Sequence, residues 1–346
     1  GNFGSRRKGG DDASSARYIF TKLNPLVSYL FRKEDQAILN KQYVDDNEND
    51  DEIEPQYYCP IMPTVLINGS CGIGTGFSTS IPCFNPLDIA NNIINMIEGK
   101  NPNVIHPWYR GFKGKIIKVV SDKTKEIKYQ TSGIYQIINE NVLRITELPI
   151  GEWTEYYCDK ISKDLLIDDK KKEPSGKKIL TDIQNNSGNN SINIELTFYG
   201  TTLQKLIKNS LIEKELKLTT TLSVTNMYLY NTESQICKYD YVEDIFIDFY
   251  TFRLNAYKKR KEHMIKHLEN IMMLLNYKVK FIQDFISKKI ILNNKKGSEV
   301  LKKLEELKYP KMNNDAYASD DQKTYNYLTG MQIWSLTEEK IEELNN

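Results

Sequence analysis

The sequence predicts an α+β protein of several domains, and three observations carry that prediction. Short β-branched runs separated by turn residues fill 60–149, the texture of strands in a mixed domain. The stretch 201–296 contains neither glycine nor proline, so long unbroken elements become possible there. The chain has 346 residues, 40% of them hydrophobic, enough for two or three domains with their own cores.

Taken in order, Ile19, Phe20, Leu23, Leu26, Val27, Leu30 and Phe31 recur at three- and four-residue steps. That spacing predicts a helix with one apolar face and puts Tyr18 at or just before its start. The acidic, asparagine-rich stretch 45–54 reads as a solvated surface loop. Strands are expected at Ile116-Ile117-Lys118-Val119-Val120 and at Val142-Leu143-Arg144-Ile145. Between Pro60 and these strands a helix is expected over 86–98, with Ile89, Ile93, Ile94 and Ile97 on one side. The polar stretches 160–178 and 185–191 read as flexible insertions, after which Ile192, Ile194, Leu196 and Phe198 alternate as one face of a strand.

Farther on, Leu254, Tyr257, Met264, Leu268, Ile271, Leu275, Ile282 and Phe285 follow a three-four repeat, broken in the seam by Lys261 and Lys278. One coiled-coil arm over 242–288 would reach roughly 70 Å. Such an arm leaves its seam wet unless an antiparallel helix covers it. Trp334-Ser335-Leu336-Thr337-Glu338-Glu339-Lys340 can only begin one, so the returning helix is expected to lie outside this chain, which reads as a fragment of something larger.

Composition excludes more than it proposes. Lys and Arg total 47 against 46 Asp and Glu, so any basic surface must be local. The five cysteines are odd in number and lack C-x-x-C spacing, which argues against a disulfide framework and a zinc site and fits a reducing compartment. No run of about eighteen apolar residues occurs, and the polar, glycine-rich start does not read as a signal peptide.

Chemistry concentrates near the start, in Gly4-Ser5-Arg6-Arg7-Lys8-Gly9-Gly10-Asp11-Asp12-Ala13-Ser14-Ser15-Ala16-Arg17-Tyr18-Ile19. A phenol, with its ordinary pKa of about 10, is a poor nucleophile at neutral pH. A neighbouring cation and a metal can stabilise its anion and a phosphate together, which makes a phosphodiester the natural substrate. The Arg17–Tyr18 pair alone also fits a cation stacked on a surface ring.

The whole segment resembles the active-site tyrosine motif of type IIA DNA topoisomerases, Gly-Thr-Arg-x-x-Gly-Gly-Lys-Asp-Ala-Ala-x-x-Arg-Tyr-Ile, with Ser5 in place of threonine and Asp11 in place of lysine. Further blocks follow in the family's order: Glu54-Pro55-Gln56-Tyr57-Tyr58-Cys59-Pro60-Ile61-Met62-Pro63, Asn68-Gly69-Ser70-Cys71-Gly72-Ile73-Gly74-Thr75-Gly76, His106-Pro107-Trp108-Tyr109-Arg110-Gly111 and Asn141-Val142-Leu143-Arg144-Ile145-Thr146-Glu147-Leu148-Pro149. Lys280-Phe281-Ile282 is a short match, and the stretch from Thr324 to Thr337 resembles the eukaryotic branch closely. The resemblance implies the end of a winged-helix domain over 1–59, a mixed α/β tower domain over 60–240, and a long coiled-coil helix with the start of an exit gate over 241–310. A linker and the start of the returning helix would occupy 311–346.

On that resemblance Tyr18 is the nucleophile that forms a 5′-phosphotyrosyl bond, and Arg17 holds a non-bridging phosphate oxygen. Arg6, Arg7 and Lys8 would meet successive phosphates without reading sequence. Read from its own surroundings Ile73 is a core residue; the resemblance makes it a wedge that enters an unstacked base step and bends DNA. Cys71 and Phe77 depart from the commoner glutamate and tryptophan of that loop. The glycines there do not make a nucleotide cradle, since Gly76-Phe77-Ser78 lacks the Gly-Lys-Ser/Thr of a Walker motif. His263 and His267, four apart on the arm, have no evident third metal ligand. Lys258-Lys259-Arg260-Lys261 could be a nuclear import patch but reads as a charged helix face. His106 and Trp108 read as packing and turn residues.

The resemblance further implies double-strand cleavage, duplex passage and resealing by a homodimer on double-stranded DNA in the nucleus. It implies Mg²⁺ and ATP as cofactors, both bound by parts of the parent outside this chain, and no membrane. The segment alone is expected neither to cleave efficiently nor to relax DNA. The bacterial gyrase A type is a rival within the family, and a non-cleaving coiled-coil DNA scaffold is the rival outside it.

Overall fold

The computed structural model of the chain describes residues 3–42, 53–120, 127–167, 178–231 and 233–345. They fall into two compact units, Gly1–Arg32 with Pro60–Arg253, and Lys33–Cys59 with Leu254–Asn346. The unit boundaries differ from the sequence division, which ran 1–59 as one piece and began the arm at 241.

The first unit opens on a single 3-10 turn, Ala16–Tyr18, and a short helix α1 (Val27–Leu30). The continuous helix expected after Tyr18 does not form, and 19–24 run without helix. Pro25 explains this. A proline disfavours helical backbone at the residue before it, and the six residues left upstream are too few to sustain a helix of their own. Asn24 instead starts a new turn, its side-chain oxygen accepting the Leu26 N–H at 2.9 Å. Tyr18 therefore closes a turn rather than opening a helix, and Phe20, on the expected buried face, is 94% exposed.

Helix α2 (Thr64–Asn68) feeds a hairpin of β1 (Ser70–Gly74) and β2 (Phe77–Ile81). Helix α3 (Pro86–Ile97) lies where the periodicity put it, with Asn85 capping the Leu87 N–H and Pro86 in the first turn, where its missing N–H costs nothing. Ile89 is buried there, whereas Ile94 and Ile97 are exposed, so the buried stripe is narrower than the sequence suggested.

Both expected strands form, as β3 (Lys115–Val120) and β6 (Val142–Glu147), with β4 (Ile127–Ser132) and β5 (Ile134–Ile137) between them. Helix α4 (Thr154–Leu165) runs into the region read as an insertion from Lys160. Tyr157, Ile161 and Leu165, spaced by four, bury a narrow stripe that the surrounding charges hid. Residues 168–177 of that stretch, like 45–52 of the acidic one, lie outside the described residues. The loop expectation holds over 186–191, between β7 (Leu180–Asn185) and β8 (Ile194–Phe198). Then come α5 (Thr202–Lys208), α6 (Ile212–Glu215), β9 (Thr219–Ser223), β10 (Met227–Tyr230), β11 (Ile236–Tyr239) and α7 (Val242–Ile286).

The sheets are antiparallel, in the orders β3-β4-β9, β5-β6-β8-β7 and β10-β11. One core lies between the four-stranded sheet and its helices, where Leu143, Ile145, Ile194 and Leu196 meet Tyr157, Ile161 and Leu203. Tyr157 fits there because its hydroxyl donates to the Leu216 carbonyl at 2.7 Å. A second core joins Leu66, Ile81, Phe84 and Ile89 to Met227 and to Val242, Ile245 and Phe246 in the first turns of α7. It anchors the base of the β1–β2 hairpin through Ile81 and leaves the tip free.

In the second unit the buried Asp35 pairs with Arg260 at 3.2 Å. Phe281 packs with Ile290, Leu304 of α8 (Gly297–Glu306), Tyr309, Tyr325 and Leu328 of α9 (Asn326–Thr329). Within that core the Tyr309 hydroxyl donates to Asp284 at 2.9 Å. The 45-residue α7 bears out the expected arm. Its seam residues Met264, Leu268 and Ile271 are exposed, and among the described residues no helix of comparable length follows, α10 (Glu338–Asn345) having eight residues. His263 stacks on Tyr317, with ring centroids 4.6 Å apart and planes 5° off parallel.

Candidate nucleic-acid interface

The glycine-bearing loop is a folded structure. Ser5 donates to the Asp12 carboxylate from its N–H at 2.9 Å and its hydroxyl at 2.7 Å, and the Gly10 N–H closes back on the Ser5 carbonyl at 3.1 Å. Those hydrogen bonds from Ser5 hold the Asp12 carboxyl below the usual range. The loop docks on the start of α4. The Glu155 N–H donates to the Arg7 carbonyl at 2.9 Å, and the Tyr156 hydroxyl donates to Asp11 at 2.6 Å. That bond to the carboxylate pushes the Tyr156 phenol up. Gly9 lies against the Trp153 ring at a φ of +62°, and a Cβ there would come within 2.4 Å of the indole nitrogen, so only glycine fits.

The basic residues of this loop do not stand free. Arg6 ion-pairs with the buried Glu147, while Arg7 and Lys8 reach Glu155 at 2.9 and 3.5 Å. Each charge is already partly neutralised, and a phosphate would have to compete with a carboxylate for it. Sequence reading missed Glu147, Trp153, Glu155 and Tyr156 as parts of the site. Glu147 did carry a signal, since it shares the inward phase of β6 with Leu143 and Ile145, and an acid on the buried face of a strand calls for a cation.

Beyond the docked part the chain leads to Tyr18, which is 65% exposed. The Arg17 guanidinium lies 4.9 Å from the Tyr18 ring centroid, so the cation sits beside the phenol. Both groups remain accessible to a large ligand. Unlike Arg6, Arg7 and Lys8, Arg17 makes no ion pair among the described residues.

The β1–β2 hairpin presents Ile73 at its end, paired across the ladder with Ser78 and 93% exposed. The core reading of Ile73 is thereby overturned. The turn closes through Thr75-Gly76, where Gly76 takes a φ of +81°. Phe77 packs edge-on against Tyr228 at 5.8 Å, and Asn226 donates to the Ser78 hydroxyl at 3.0 Å. These contacts support β2 while β1 stays bare.

His106 meets the Tyr129 hydroxyl at 2.9 Å, and the Trp108 N–H donates to the Cys83 carbonyl at 2.8 Å, the packing and turn roles the sequence suggested. Among the described residues no group of three or more His, Cys, Asp or Glu could hold a metal ion, so the residues near Tyr18 do not by themselves fit a Mg²⁺ site. Nor is any described helix long and apolar enough to cross a membrane.

A tyrosine beside an arginine on a docked loop, an apolar hairpin tip and a 45-residue arm place this chain among type IIA topoisomerase cores. The family model for the DNA-breaking chain of DNA gyrase/topoisomerase IV matches residues 1–346, and the protein belongs to that family. It is 35% identical over 373 residues to a DNA topoisomerase 2 of Arabidopsis thaliana, covering 99% of this chain and 24% of the relative. It is also 35% identical over 350 residues to the mitochondrial DNA topoisomerase 2 of Dictyostelium discoideum, covering 100% of this chain and 25% of the relative. The crystal structure of the Plasmodium falciparum topoisomerase II DNA-binding, cleavage and re-ligation domain superposes with a TM-score of 0.78 at 36% identity, covering all of this chain and 47% of that one. The chain thus spans about a quarter of the length of these curated relatives.

Proposed function

We propose that this chain is the strand-breaking part of a type IIA DNA topoisomerase, with Tyr18 as nucleophile and Arg17 as the cation that meets the scissile phosphate. The observation that carries this is the exposed Tyr18 ring with the Arg17 guanidinium beside it, on a loop held by α4. The Tyr18 oxygen attacks phosphorus in line, giving up its proton, and the bond from phosphorus to the 3′ oxygen breaks as that oxygen takes up a proton. The product is a 5′-phosphotyrosyl ester. Attack by the 3′ hydroxyl reverses the step, so the break can be resealed without a new activated phosphate. Arg17 offsets the charge that builds on the non-bridging oxygens.

Mg²⁺ would be held by residues outside the described ones, and no step is assigned to it. Duplex passage, ATP use, a homodimer with one tyrosine for each strand and a nuclear location belong to the whole protein and complete the proposal. Within it, 1–59 carries the chemistry, 60–240 the tower, 241–310 the arm and 311–346 the start of its return. The relatives' names and the superposed cleavage domain support this reading over a non-cleaving scaffold. Covalent capture decides between them: the full-length enzyme is incubated with Mg²⁺ and labelled duplex, denatured and digested, and the nucleotide-bearing peptide is located by mass spectrometry. DNA binding without any tyrosyl adduct would favour the scaffold.

Ile73 is the proposed wedge, and Arg6, Arg7 and Lys8 are proposed as phosphate contacts that exchange their carboxylate partners for DNA. Ile73→Ala removes apolar surface that would fill an unstacked step, a loss of about 1–3 kcal/mol. The expected result is a smaller DNA bend, read as reduced energy transfer between dyes at the ends of a bound duplex. An unchanged bend would remove Ile73 from this role.

A further inference from the structure

A cleft of about 540 Å³ opens beside the docked loop, lined by Arg6, Tyr109, Arg110, Phe112, Glu152 and Trp153 among others. Its charges are unequally satisfied. Arg6 is paired with Glu147, and Glu152, the acid on its wall, is paired with Lys160 at 2.8 Å. Arg110 is exposed and makes no ion pair among the described residues, so the cleft holds one uncompensated guanidinium between aromatic walls. One of those walls, Trp153, is the ring against which Gly9 lies, which makes the cleft continuous with the loop that leads to Tyr18.

We propose that Arg110 is a further DNA-contacting residue, holding a backbone phosphate of the duplex in this cleft while Tyr109, Phe112 and Trp153 flank the adjoining sugar. This rests on the strand-breaking function proposed above. A phosphodiester suits the cleft because a guanidinium can grip it in bidentate fashion and the apolar rings can cover deoxyribose. The loop cations must release carboxylates to do the same. Arg110 needs to release nothing, so it is the contact available before the others rearrange.

The test measures binding of the full-length enzyme to a fluorescent duplex across a salt series, with wild type, Arg110→Gln and Arg110→Lys. Arg110→Gln is expected to weaken binding on the order of tenfold and to lower the salt slope by about one, and Arg110→Lys to restore most of both. A merely structural arginine would not move the slope, so weaker binding with an unchanged slope overturns the proposal. Arg110→Gln matching wild type in affinity and slope, while wild type forms the Tyr18 adduct, overturns this inference and leaves the function standing. A wild-type enzyme that neither binds duplex nor forms an adduct overturns both.

Discussion

Tyr18→Phe is expected to abolish covalent capture of DNA by the full-length enzyme, lowering adduct yield by a factor on the order of 10⁴ or more, because it removes the atom that forms the bond. The change is otherwise mild. Tyr18 is mostly exposed and its hydroxyl holds no part of the fold, so stability should move by no more than about 0.5 kcal/mol. Phenylalanine also keeps a ring face for Arg17. Duplex binding should therefore persist while the adduct peptide disappears from the digest. An adduct that survives the substitution would reassign the nucleophile, and the relation between the docked loop and the chemistry would have to be drawn afresh.

The largest expected effect on stability comes from Glu147→Ala. The Glu147 carboxylate is buried, pairs with Arg6, and accepts the Leu148 N–H at 3.1 Å and the Lys113 N–H at 3.3 Å. Removing it strands a half-buried guanidinium and two backbone donors, at a cost of about 3 kcal/mol or more. Urea unfolding should show an earlier transition in the first unit. Adduct yield should fall with it, since Arg6 belongs to the loop that leads to Tyr18. Arg6→Ala is the milder change, because the carboxylate keeps its two backbone donors. Equal losses from the two substitutions would show that Glu147 matters only through Arg6.

Much of this architecture is legible in the sequence, and the failures have identifiable causes. The alternation of Ile192, Ile194, Leu196 and Phe198 and the repeat along α7 both announce their elements, because each buries one face against a core. Helix α4 was missed from Lys160 onward because three apolar residues suffice for its buried stripe while charges fill the rest. The helix after Tyr18 was overread because its apolar periodicity ignored Pro25. In the site, Tyr18, Arg17 and Ile73 were legible through ordered motifs, and all three are exposed or accessible. The carboxylates that meet Arg6, Arg7 and Lys8 were not, since their partners lie well over a hundred residues away and pairing across that distance leaves no local pattern.

The exchange of the family's lysine for Asp11 has a consequence for the order in which the loop lets go. Its other side-chain attachments to α4, Arg7 and Lys8 against Glu155, are ion pairs at partly exposed positions, and dissolved salt weakens such pairs. The bond from the Tyr156 hydroxyl to Asp11 involves only one charge and is less open to screening. As ionic strength rises, or as a polyanion draws the cations away, Arg7 and Lys8 would detach first and pivot about a fastening at Asp11 that stays closed. The loop would then swing on a hinge rather than melt, keeping the path to Tyr18 in register while its cations change partners.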